Sequence, residues 1–139
     1  MRQPLLFGTL GLAALALSLT LTAGRPAAAA GGALDGKVFA GTTGETGKAT
    51  GDKDVLVFRG GTFRSTACDT YGFGSAPYTA SRNPDGSTGF LATTSSPKEG
   101  TIHWRGRVRG DAIAATYVWE KAGQRPISYW FKGTIKKAA

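Results

Sequence analysis

From residue 31 onward, polar and apolar positions alternate in short runs separated by glycine, proline and acidic residues. In Thr101 to Arg109, the residues Ile102, Trp104, Gly106 and Val108 fall on one side of an extended chain, and His103, Arg105, Arg107 and Arg109 on the other. In Ile127 to Lys136, Ile127, Tyr129, Phe131, Gly133 and Ile135 alternate with Ser128, Trp130, Lys132, Thr134 and Lys136. In Ala112 to Glu120, Ile113, Ala115, Tyr117 and Trp119 share a side. A period of two with one apolar side is what an antiparallel strand buried on one face requires. No convincing helical period occurs, because glycine and proline interrupt the chain too often.

The same reading predicts eight strands: Lys37 to Gly41, Asp54 to Arg59, Thr62 to Ala67, Ala76 to Arg82, Ser87 to Thr94, Thr101 to Arg109, Ala112 to Glu120 and Ile127 to Lys136. Gly60-Gly61 is a two-residue hairpin signal, since both positions accept positive φ at little cost. Asn83-Pro84-Asp85-Gly86 is a second turn, with proline presetting φ and Asp-Gly completing the reversal. The Gly/Thr/Lys-rich stretch Thr42 to Lys53 reads as a mobile loop. A flat meander of eight strands would leave an apolar face and two edges exposed, whereas rolling it up buries the face and pairs the edges. The expected fold is all-β: an eight-stranded antiparallel up-and-down barrel in a single domain over residues 31–139.

Residues 1–30 have a different character. Met1-Arg2-Gln3-Pro4 is followed by an uncharged run from Leu5 to Leu21 and by Ala28-Ala29-Ala30. A basic start, an apolar middle and a small-residue end are the parts of a cleavable signal peptide. The expectation is an exported protein, periplasmic or secreted, with no transmembrane span in the mature chain.

The chain from Leu34 to Lys136 resembles the calycin superfamily, the small barrels that include lipocalins, fatty-acid-binding proteins and avidins. The resemblance lies in strand count, hairpin order and length. Lipocalins carry Gly-x-Trp at the first strand; here Gly36-Lys37-Val38-Phe39 has the glycine but no tryptophan. Tyr117-Val118-Trp119 and Trp130 look like the aromatic-rich late strands of avidins, without a residue-by-residue biotin set. The resemblance implies a lumen that holds a small ligand.

Composition narrows the chemistry. The 139 residues carry a formal charge of +8, with one cysteine and one histidine. That count excludes an intramolecular disulfide framework and the multi-Cys or multi-His metal motifs, so neither metal nor cofactor is expected. Cys68 has no neighbouring cation in sequence to activate it and is expected to be buried and inert. A Cys68–His103 dyad would be the one catalytic pairing available. No nucleophile elbow, metalloprotease helix or phosphate loop occurs, and no enzyme activity is expected. An outer-membrane barrel would put apolar side chains where the arginines lie. An OB-type nucleic-acid binder would use about five strands, and export removes its usual partner, so no nucleic acid is expected.

Two constellations remain. Phe63, Trp104, Tyr117, Trp119, Tyr129 and Phe131 share the inward side, and the glycine-flanked Tyr71 and Phe73 of the loop Asp69 to Gly74 could cover a barrel mouth or plug its end. These eight are candidate ligand-binding residues for a small apolar or aromatic molecule; alternatively they simply fill the barrel. The second is the stripe His103, Arg105, Arg107 and Arg109. It could meet an anionic envelope surface or other polyanion, or form a solvated outer face paired with carboxylates such as Glu120.

Overall fold

A computed structural model describes residues 32–137 and, as backbone, residues 29–30. The proposed signal peptide lies outside the described residues except for Ala29–Ala30. Those two residues form β1, paired antiparallel with Thr79 and Ala80. The barrel itself consists of β2 (Val38–Glu45), β3 (Asp52–Arg59), β4 (Thr62–Ser65), β5 (Ser75–Arg82), β6 (Thr88–Ser96), β7 (Gly100–Arg109), β8 (Ala112–Glu120) and β9 (Ile127–Ile135). Each strand pairs antiparallel with its successor, and β9 pairs with β2 from Phe39↔Ile135 to Glu45↔Tyr129. That last pairing closes the eight strands into an up-and-down barrel. β4 and β5 share the shortest seam, Thr62–Arg64 against Ser75–Pro77. β1 lies beside β5 beyond the end of that seam.

Hairpin chemistry sets the register. Gly60 and Gly61 take φ of 57° and 75° between β3 and β4, the twist of a turn that follows the right-handed strands. Asp85 accepts hydrogen bonds from the Ser87 amide (3.0 Å) and hydroxyl (2.6 Å), fixing the β5–β6 reversal.

Two expectations need correction. Thr42 to Lys53 is not a loop: β2 runs on to Glu45 and β3 begins at Asp52, leaving a turn of residues 46–51. Glycines on β2 serve close packing. A Cβ at Gly41 would lie 2.0 Å from the Lys132 carbonyl oxygen, and one at Gly44 would lie 2.8 Å from the Trp130 ring. The strand predicted over Thr62 to Ala67 stops at Ser65, where the chain winds into a single helical turn, α1 (Thr66–Asp69).

The inward positions are those the alternation predicts, and aromatic rings fill one half of the barrel. Phe58 is the hub, with its ring centroid 6.1 Å from Phe39, 5.3 Å from Phe63, 5.0 Å from Tyr78 and 5.0 Å from Phe90. Leu34, fully buried, stoppers this end. The Tyr78 hydroxyl holds the stopper by accepting from the Leu34 amide (3.0 Å) and donating to Asp35 Oδ1 (2.8 Å). Phe63 passes the packing to Trp104 at 4.9 Å, and there the filled half ends.

Candidate functional site: the open end of the barrel

Above Trp104 the barrel opens into a cavity of about 550 Å³, walled by the ends of β2, β3, β7, β8 and β9 and by α1. Its floor is the Tyr117 and Tyr129 part of an aromatic stack that rests on Trp104. The Tyr117 ring lies on Trp104 at 4.0 Å, and the Tyr129 ring lies on Tyr117 at 4.9 Å with planes 8° apart. Ile102 completes the apolar floor, Trp119 stands on the wall, and Tyr71 and Phe73 reach in from the segment after α1.

Hydrogen bonds hold this end in shape. Thr43 Oγ1 donates to the Trp130 carbonyl (2.9 Å) and therefore accepts from the Tyr117 hydroxyl, leaving the phenol oxygen free to accept. The indole of Trp119 donates to the Glu99 carbonyl (2.6 Å), and that of Trp130 to the Lys48 carbonyl (2.9 Å). Each tryptophan thus clips one turn at the mouth to the barrel wall. Asp54, only 4 % exposed, accepts from Ser65 Oγ (2.6 Å), the Ala67 amide (2.9 Å) and the Val55 amide (2.7 Å). Through these bonds it seats α1, and with it Cys68, against β3. Ser96 Oγ donates to the Tyr71 carbonyl at 2.7 Å, so the backbone of the rim residue is tied down while its side chain stays exposed.

Burial shapes the titratable groups. It pushes the Tyr117 phenol well above the usual tyrosine range. Tyr129 is raised by burial and then by the nearby Glu45 carboxylate. The Cys68 thiol is also pushed up, by burial first and then by Asp54 and Asp69, with Ser65 opposing. A raised thiol pKa means little thiolate at neutral pH.

The eight ligand-binding candidates divide. Tyr117, Trp119, Tyr129, Tyr71 and Phe73 line the cavity. Phe63, Trp104 and Phe131 are fully enclosed in the filled half and do not border it. Phe73 is buried whereas Tyr71 is 61 % exposed, so the loop supplies a plug residue and a rim residue at once. Sequence reasoning missed Thr43, Glu45 and Asp52, because the strand ends that carry them were read as loop, and Asp54, which was read only as the first residue of a strand. The inward alternation of Asp52, Asp54, Leu56 and Phe58 is the signal that could have found them.

The basic stripe lies on the outer face of β7 and is largely paired. Arg109 is bonded to Asp85 at 2.5 Å, Arg107 lies 3.9 Å from the same carboxylate, and His103 lies 3.3 Å from Glu120. Arg105 has no ion pair among the described residues. Asp85 is held below the usual carboxylate range by its Ser87 hydrogen bonds first and the two arginines after them. Because Cys68 borders the cavity and His103 lies on the outer face, the wall separates them and no dyad forms.

Among the described residues no group of three or more His, Cys, Asp or Glu is placed to hold a metal ion. No helix among them is long and apolar enough to cross a membrane. Comparison with protein-family models, curated proteins and solved structures gives no match for this chain.

Proposed function

We propose that this is an exported, lipocalin-like binding protein that holds a small, flat, largely apolar molecule in the open end of its barrel without reacting with it. The observation that carries this reading is the cavity of about 550 Å³ floored by the stacked Tyr117 and Tyr129 rings, with Trp104 packed beneath Tyr117. Its size falls in the range of small-molecule sites, which are mostly apolar with a few polar groups that fix orientation. Ile102, Trp119 and the tyrosine rings supply the apolar contact, and the Tyr117 oxygen supplies an acceptor at the floor. The turns clipped by Trp119 and Trp130 favour a preformed site, which lowers the ordering cost of binding. The outer arginines support an anion-binding role less well, since Asp85 already pairs Arg107 and Arg109.

The test is fluorescence titration with the neutral probe naphthalenemethanol. Saturable binding at one site per chain is expected, weakened at least several-fold by Ala67→Phe, which places a ring in the mouth. Absence of saturable binding, or binding untouched by Ala67→Phe, would remove the proposal.

A further inference from the structure

We infer that the molecule taken by the cavity is an organic cation, an ammonium group joined to a flat apolar body. This rests on the binding function proposed above and adds the charge of the ligand. The basis is a local reversal of sign. The chain as a whole carries +8, yet the cavity is bordered by Glu45, Asp52, Asp54 and Glu99 against a single cation, Lys48.

Pairing sharpens the count. Lys48 lies 3.2 Å from Glu45, and Lys121 lies 3.0 Å from Glu99, so each of those carboxylates has its own cation. Asp52 and Asp54 have no ion pair among the described residues. The two lie two positions apart on β3 and border the cavity, Asp54 buried in its wall and Asp52 exposed at its rim. All three donors to Asp54 are neutral, so it is a buried acidic side chain without a counter-charge. A charge out of water is costly unless an opposite charge meets it, and a concave site with low-dielectric walls focuses the field of its lining groups. Tyr129, Trp119 and the rim residue Tyr71 border the same cavity, and aromatic ring faces attract ammonium groups. Carboxylates and aromatic rings around one cavity suit a cation with an apolar body and disfavour an anion.

The experiment compares three ligands of one shape on the full protein: a naphthylmethyl-trimethylammonium ion, neutral naphthalenemethanol and naphthalenesulfonate. The ammonium ion is expected to bind about tenfold more tightly than the alcohol, and the sulfonate more weakly than either. High salt should shrink the ratio of ammonium to alcohol affinity towards one, because mobile ions screen exposed carboxylates. Asp52→Asn should also reduce the ratio, and the salt series on the unaltered protein reads the same quantity if that variant folds poorly. Equal affinities for all three, or preference for the sulfonate, would overturn the cation inference while leaving the binding function standing. If none of the three binds, the binding function falls and the inference with it.

Discussion

The indole of Trp104 and the phenol ring of Tyr117 stack at 4.0 Å, and that contact divides the barrel into a packed half and an open one. Below it lie Phe63, Phe58 and the Leu34 stopper; above it lie Tyr129 and the cavity. Stability belongs mainly to the lower half and the proposed binding site to the upper, so changes on the two sides of this contact are expected to have different consequences.

Trp104→Ala removes the largest fully buried side chain and leaves a void continuous with the site. A loss of about 3–5 kcal/mol is expected for truncating a buried tryptophan. Urea unfolding followed by far-UV circular dichroism measures it; a loss below about 1 kcal/mol would show that the ring is not part of a packed core.

Gly106 faces inward opposite Phe90 in the β6–β7 register, and a Cβ there would lie 2.3 Å from the Phe90 ring. Gly106→Ala therefore forces the ring away from Phe58 and Phe63, with an expected cost of about 1–3 kcal/mol. The double variant with Phe90→Leu should recover part of that loss, and no recovery would refute a steric origin.

Asp54 joins β3 to α1, so its substitution should affect both stability and Cys68. Asp54→Ala strands the Ser65 hydroxyl and the Ala67 amide, with an expected loss of about 1–3 kcal/mol. The raised thiol pKa predicts slow alkylation of the native protein, and Asp54→Ala should accelerate it by loosening α1. Rapid labelling of the unaltered protein near neutral pH would contradict the description of Cys68 as a protected wall residue.

Tyr78, Tyr117 and Tyr129 all have raised phenol pKa values. In the unfolded chain a tyrosine ionises near pH ~10. Above that pH the folded state holds protons that the unfolded state has released, so stability falls as pH rises. Below it these groups contribute no slope. Urea midpoints should therefore be flat on the neutral side and decline once pH passes about 10, with a shallower decline in Tyr117→Phe. An equal decline in that variant would assign the effect elsewhere.

Much of the fold was legible because an inward or outward position on a strand is a local property. The alternation through Trp104, Tyr117 and Tyr129 placed these side chains correctly, and Gly60-Gly61 marked its hairpin. What failed was glycine read by composition alone. Gly44 looks like a loop residue, yet it allows β2 to approach Trp130 on β9, a contact between distant parts of the chain. The site was half legible for the same reason. Its aromatic residues lie on strands with clear alternation, while Asp52 was hidden in a strand end read as loop and Asp54 opened its predicted strand with no sign that it faced a cavity. The depth at which Trp104 closes the lumen depends on how the strands are staggered around the barrel, which no single strand records.

The most direct test is an NMR titration with naphthalenemethanol, following the aromatic side chains of both halves and the backbone of β7. Saturable shifts at Tyr117, Trp119 and Tyr129, with Phe58 and Phe131 unmoved and the amides around Arg105 and Arg107 unchanged, are the predicted result. Shifts confined to the outer face of β7, or no shifts at the three open-end rings at saturating probe, would contradict the account.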